Sequence, residues 1–297
     1  MSKINWKHAA SVILINKSLK HILMMKRGPT AKFMPNSMVF PGGLLEKPAD
    51  SNFDKSLSNF SPAKDANMDV DVDLGFRICA LRELFEEAGI LLRENEVITS
   101  GEDKSLDEWR DKITKDPSLF SQLFTTKNPA DVSVLKPFAR WLTPNAYKRR
   151  FDTVFYTAQL ESFNEEVYHC EKEMVQSMWI TPRQCLEETA EKKTISLAPP
   201  QFLAMLALVQ QDLTVPIETT VYPERMCPQI IECKEEPTLR CGLHYPDSDY
   251  ITEDSDFVGL RYMNKDQIQN PKGDKVMRIV YNMVDSMYTG QSVIYKV

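Results

Sequence analysis

The chain is short of positive charge. Its 36 Lys and Arg stand against 42 Asp and Glu, a formal net charge of −6. That removes the positive field on which nucleic-acid and anionic-membrane binding rest. A phosphorylated small molecule would have to be met by local cations or by a metal. No apolar run approaches the ~20 residues of a membrane-spanning helix, and Met1-Ser2-Lys3-Ile4-Asn5-Trp6 is not a cleavable signal. The six cysteines (79, 170, 185, 227, 233 and 241) include no C-x-x-C pair, so reduced thiols in a soluble, intracellular protein are expected. The ending Tyr295-Lys296-Val297 lacks the Ser-Lys-Leu peroxisomal address. No internal repeat appears, and nothing specifies an oligomeric state. What remains is ordinary globular composition, 42% apolar and 26% charged, enough for one large domain or two small ones.

One stretch dominates what is there: Leu81-Arg82-Glu83-Leu84-Phe85-Glu86-Glu87-Ala88-Gly89-Ile90. It reads as a helix stopped by Gly89. Leu81, Leu84, Phe85 and Ala88 form an apolar flank. Glu83, Glu86 and Glu87 stand three and four positions apart, so their carboxylates share one side. Like charges at that spacing repel by a few tenths of a kcal/mol per pair. Such a helix either turns the acids to water or holds a cation, and hard divalent ions take carboxylate oxygen together with substrate phosphate.

Upstream lies Val39-Phe40-Pro41-Gly42-Gly43-Leu44-Leu45-Glu46. Together the two stretches resemble the Nudix box, G-x5-E-x7-R-E-U-x-E-E-x-G-U with U bulky and apolar. Arg82 to Ile90 match its second half at every specified position, and Gly42-Gly43 match its opening. The halves are further apart than in the pattern. Arg82 lies 39 positions after Gly43 where the pattern has 14, which leaves 25 extra residues. This insertion, about 47–74, is rich in Asp, Ser, Asn and Pro and reads as an exposed loop. It displaces the first Glu of the pattern, and Asp50, Asp71 and Asp73 are the candidates to replace it. The resemblance implies a loop–helix–loop that binds Mg²⁺ or Mn²⁺ through Glu83, Glu86, Glu87 and the Gly43 carbonyl. Arg82 would position a carboxylate of the box.

Around this centre the chain reads as alternating strands and helices. Ala9–Ile15 and His21–Met25 form a hairpin. Leu23, Arg27 and Phe40-Pro41-Gly42-Gly43 follow the spacing of the motif that precedes the box in coenzyme A-hydrolysing Nudix enzymes, with Lys32 in place of Arg. Arg27 and Lys32 are therefore candidate phosphate ligands. After the box, Leu106–Ile113 and Ser118–Thr125 have helical spacing and form a second insertion, about 101–130, expected as a lid. Trp141-Leu142-Thr143-Pro144 and then Arg149-Arg150-Phe151-Asp152-Thr153 resemble one Nudix branch, the moiety X motif 19 type, peroxisomal acyl-coenzyme A diphosphatases. Arg149 and Arg150 are candidates for substrate phosphate, with pairing to Asp152 as the structural alternative. Glu173, before a strand at 175–180, is the candidate general base or outer metal ligand. Helices follow at about 183–192 and 202–211. From 219 to 297 the chain is a β-rich extension with no assigned chemistry.

The expected fold is α/β, a mixed sheet between helices over 1–218 with the extension packed on it. The resemblance implies metal-dependent hydrolysis of coenzyme A or an acyl-coenzyme A to 3′,5′-ADP and (acyl-)4′-phosphopantetheine. Hydrolysis of another nucleotide such as ADP-ribose, or nucleotide binding without catalysis, are the alternatives. Localisation is peroxisomal by resemblance, or cytoplasmic.

Overall fold

The computed structural model of the protein describes residues 6–31, 34–62, 68–161, 174–217, 223–250, 260–285 and 287–296. Strand β1 (Lys7–Asn16) turns back into β2 (His21–Arg27) as the β-branched runs require, but the two pair only near the turn, at Ile15 with Ile22 and Asn16 with His21. Beyond that point the strands part. Into the gap run β3 (Met38–Val39), paired with Met25 and Lys26, and β4 (Gly42–Leu44), paired with Ala9, Ala10 and Ser11. The Pro41 carbonyl between them accepts from the Val12 N–H at 2.8 Å and the Ser11 hydroxyl at 2.9 Å. A Cβ at Gly42 would lie 2.4 Å from the Ala10 carbonyl oxygen, so only glycine lets the chain run this close to β1.

Helix α1 (Val70–Ala88) starts earlier than the box alone implies. Asp69 caps it by accepting from the Asp71 and Val72 N–H groups, and Asp71 and Asp73 complement its first turn. Gly89 ends it at φ 68°, the left-handed conformation that glycine adopts without a Cβ penalty. The segment ahead of it is folded in part. Asp50 and Phe53 are buried, and Leu57 and Asn59 exchange backbone hydrogen bonds with Ala130. The expected exposed loop is thus tied to the second insertion. A hairpin of β5 (Ile90–Arg93) and β6 (Glu96–Thr99) leads into α2 (Ser105–Lys115) and a 3₁₀ turn, Pro117–Leu123. Phe120, Leu123 and Phe124 are buried there, and Phe120 packs on Phe85 of α1 with ring centroids 6.1 Å apart. Arg110 of α2 donates to the Glu86 carbonyl at 3.0 Å and the Glu87 carbonyl at 3.1 Å, placing a cation on the C-terminal end of α1. These residues brace the helix from behind; of the second insertion, Thr114 and Pro117 reach the cleft described below.

Strands β7 (Leu135–Leu142) and β8 (Phe151–Leu160) are antiparallel, and β8 runs parallel to β1 over all ten residues of each. β9 (Met174–Ile180) closes the other side of β2. Alternation along β1 and β2 divides the core. Val12, Leu14, Leu23 and Met25 face α1, and Ile13, Ile15, Ile22 and Met24 face the opposite layer. That second layer contains α3 (Pro182–Ala190), with a Thr181–Gln184 capping box, and α4 (Pro199–Leu208), which contributes Phe202, Met205 and Leu208. Each such side chain contributes roughly 1.5–3 kcal/mol on full burial. The expected mixed sheet between helices is what forms.

After β10 (Arg225–Met226), a second sheet is built from β11 (Gln229–Cys233), β12 (Leu239–Leu243), β13 (Arg261–Met263), β14 (Val276–Val284) and β15 (Met287–Lys296), with a short α5 (Lys265–Gln269). Its Asp247 forms a buried pair with Arg278, Nε to carboxylate at 2.8 Å. Ile279 and Tyr281 of β14 enter the α4-side core, and the Tyr288 N–H donates to Ser196 at 2.9 Å. Among the described residues no helix is long and apolar enough to cross a membrane.

Candidate active site

Where β1 and β2 part, a cavity of about 610 Å³ opens. One wall is β4 with the acidic face of α1, another is β1 and β8, and a third comes from the start of α4 and the C-terminal sheet. Glu83, Glu86 and Glu87 all line it, as do Arg27, Gly43 and Arg82. The acids of the helix therefore stand over an open cleft.

Arg82 organises this wall. It is 2% exposed and saturated. Its Nε and Nη2 donate to the two oxygens of Asp50 at 2.9 and 2.8 Å, a forked pair; Nη2 also donates to the Leu44 carbonyl at 2.8 Å. Its Nη1 donates to Glu83 and to Glu86, each at 2.8 Å. Two carboxylate oxygens 2.8 Å from one nitrogen can be no more than about 5.6 Å apart, so Glu83 and Glu86 are brought close together. Asp50 thus takes the place opposite Arg82 among the three aspartates the displaced box position left open. Asp73 is occupied with Arg77 at 2.6 Å, and Asp71 is exposed in the first turn of α1.

Glu87 is held separately: its carboxylate accepts from the Gly42 N–H at 2.9 Å. Gly43 comes against the same wall. A Cβ there would fall 2.5 Å from the Glu83 carboxylate, so the missing side chain is what lets main chain and acid meet. Burial pushes the Glu83 carboxyl up to about 7, with Arg82 pulling the other way and Glu86 reinforcing the rise. Asp50, Glu83 and Glu86 all bond to the one guanidinium of Arg82, and Glu87 stands beside them on the Gly42 N–H. Oxygen donors in excess of positive charge, beside a glycine that clears space at Glu83, fit a hard divalent cation. In the present arrangement, among the described residues, no three acidic side chains converge on one point, because Arg82 and Gly42 hold one oxygen of each.

The other expected residues divide sharply. Arg27 lines the cleft. Lys32 and Glu173 lie outside the described residues. Arg149 is exposed and Arg150 buried, and neither reaches the cavity. Arg150 donates to the Thr143 carbonyl at 2.8 Å and stacks over Trp6, 5.5 Å from the ring centroid. This corrects the expectation that one of the pair meets substrate phosphate. It also corrects the alternative of pairing with Asp152, which Arg140 holds with two bonds of 2.9 and 2.8 Å.

The cavity also takes in Trp141, of the Trp141-Leu142-Thr143-Pro144 stretch, and residues that no local spacing marked: Tyr147, Gln201, His244, Tyr281 and Tyr288. They come from five separate stretches of chain, and only the packing of the C-terminal sheet against α4 and β7 collects them.

Residues 52–208 match the NUDT19 Nudix domain family, a range that takes in α1 and ends with α4, before the C-terminal sheet. Over 267 residues the chain is 34% identical to a Caenorhabditis elegans protein carried under the name nudix hydrolase 7, covering 89% of this chain and 81% of that one. It is 29% identical over 317 residues to the acyl-coenzyme A diphosphatase NUDT19 of Xenopus laevis, with the same two coverages, 89% and 81%. In three dimensions it is similar to a Nudix hydrolase from Alicyclobacillus acidocaldarius, with a TM-score of 0.56 and 22% identity over 71% of this chain and 94% of that one.

Proposed function

Because the chain belongs to the Nudix hydrolases, in the NUDT19 branch, and is an enzyme of that class, we propose that it hydrolyses the diphosphate of coenzyme A or an acyl-coenzyme A. The products are 3′,5′-ADP and (acyl-)4′-phosphopantetheine. The observation that carries this reading is the acidic wall of α1 facing the cleft, with Arg82 locked behind it by Asp50. The name of the Xenopus relative supports the choice of substrate.

Glu83, Glu86, Glu87 and the Gly43 carbonyl are the groups that would hold Mg²⁺ or Mn²⁺. When bound, such an ion neutralises diphosphate charge and acidifies a water. The chain's own residues do the positioning. Asp50 fixes the Arg82 guanidinium, and Arg82 in turn sets the rotamers of Glu83 and Glu86. The Gly42 N–H sets Glu87. Arg27, the cleft-lining cation on β2, meets substrate phosphate. Apolar walls from Phe40, Phe155 and Tyr281 limit the water that reaches the anhydride.

The test is to incubate the purified protein with acetyl-coenzyme A and Mg²⁺ and to follow 3′,5′-ADP by mass spectrometry, with ADP-ribose in parallel. Release of 3′,5′-ADP is expected. Cleavage of ADP-ribose alone would refute the substrate assignment, and cleavage of neither would refute the catalytic reading.

A further inference from the structure

At the side of the cavity away from the α1 carboxylates, three buried polar atoms point to a ligand. The Trp141 indole nitrogen, the Gln201 carboxamide oxygen and the His244 Nε2 are each buried with no hydrogen-bond partner among the described residues, and all three residues line the cavity. The residues are 5%, 8% and 5% exposed, respectively. Buried polar atoms left unpaired are disfavoured, so several in one cavity mark a place where something else completes them. Around them stand Pro228, Ile230, Tyr281 and Tyr288, an uncharged surround.

The three atoms have a definite chemistry. The indole N–H only donates, and the carboxamide oxygen only accepts. Burial holds the His244 ring down to about 4, with Asp247 opposing, so near neutrality it is an uncharged imidazole whose Nε2 either donates or accepts. Charge is distributed to match. Among the described residues, the cationic side chains lining the cavity are Arg27 and Arg82, both on the acidic side, and none comes from the C-terminal sheet. A phosphorylated nucleotide end has nothing to neutralise it among Trp141, Gln201 and His244. A secondary amide, with one C=O and one N–H, matches a donor and an acceptor set in an apolar wall.

We propose that Trp141, Gln201 and His244 form a subsite for an uncharged, amide-bearing chain, the pantetheine arm of the substrate, and that the C-terminal sheet is thereby the specificity element of the enzyme. The identity of the arm rests on the coenzyme A reading; the subsite's donor and acceptor pattern does not. The arm extends from the anhydride at α1 toward β12 and β14, while the nucleotide lies on the Arg27 side.

Pantetheine and 3′,5′-ADP, titrated separately into the full-length protein by calorimetry without added metal, test this. Wild type should bind pantetheine saturably. His244→Phe and Gln201→Leu should each weaken that binding roughly 5- to 10-fold while leaving 3′,5′-ADP affinity unchanged, and Arg27→Ala should do the reverse. Gly242→Ala is a variant that keeps all three polar groups. Its methyl would sit 3.4 Å from the His244 Nε2 and should also weaken pantetheine binding, with an unchanged melting temperature showing an intact fold. Absence of pantetheine binding in wild type, equal binding in well-folded variants, or loss of 3′,5′-ADP instead would each overturn the subsite. The two readings fail separately. Release of 3′,5′-ADP from acetyl-coenzyme A with the variants' KM unmoved removes the subsite alone. Pantetheine binding with no such release removes the proposed reaction alone.

Discussion

Replacing Asp50 with Asn removes the charge that faces the buried Arg82 guanidinium across two hydrogen bonds of 2.9 and 2.8 Å. Both residues are at most 2% exposed, so water cannot take over the role of the lost carboxylate. Breaking a buried pair from one side costs about 3–5 kcal/mol. Glu83 and Glu86 still accept from the same guanidinium, so the lower end, about 3 kcal/mol, is expected. For a chain of 297 residues that is a fall in melting temperature of roughly 5 °C. The change also has a functional side. A guanidinium freed from Asp50 rotates, Glu83 and Glu86 lose their common reference, and turnover drops while the cleft keeps its shape. The assay is thermal unfolding together with kcat for Asp50→Asn, Asp73→Asn and Asp71→Asn. Asp73→Asn breaks the 2.6 Å pair with Arg77 and should lower stability without a selective loss of kcat. Asp71→Asn should change stability by no more than about 0.5 kcal/mol, as exposed sites do. An Asp50→Asn protein with wild-type melting and turnover, beside an inactive Asp71→Asn or Asp73→Asn, would refute the assignment of the displaced box position.

Three further outcomes are expected. Glu87→Gln keeps an oxygen for the Gly42 N–H and so should fold normally by circular dichroism, yet lose at least roughly 100-fold in kcat; full activity would remove Glu87 from the mechanism. Arg150→Ala should lower the melting temperature by disrupting the stack on Trp6 and the bond to Thr143, with KM unchanged, whereas Arg27→Ala should raise KM with little effect on melting. His244 should make the protein acid-sensitive. Its folded pKa of about 4 lies below the ordinary 6.5, so the unfolded chain binds a proton that the folded chain refuses. The stability from keeping it neutral is whole above about pH 6.5 and lost as pH falls toward 4, at most about 3 kcal/mol. The raised carboxyl of Glu83 acts in the opposite sense over part of that window, so the measurement is the difference in melting temperature between pH 7 and 4.5 for wild type and for His244→Phe. An identical acid response in the two proteins would show that His244 is not the sensor.

How much of this was legible in the sequence depends on range. The helix that carries Glu83, Glu86 and Glu87 was legible because its determinants are local. An apolar flank at 3.6-residue spacing, acids one turn apart and a glycine stop are all within ten positions. The β1–β2 hairpin and the Gly42-Gly43 approach followed from equally short patterns. Where Arg149 and Arg150 lie was not legible, because it depends on long-range packing: Arg149 is exposed and Arg150 stacks on Trp6, far off in the chain.

By itself, then, the sequence determined which acids and which guanidinium stand together, since Glu83, Glu86, Glu87 and Arg82 are set by the turn of a single helix. Tertiary structure alone decided which aspartate answers Arg82, because Asp50 is 32 residues away and is chosen by burial. It also decided where the cleft ends. Trp141, Gln201 and His244 share no periodicity, and they meet only because the apolar faces of β7, α4 and the C-terminal sheet had to bury one another.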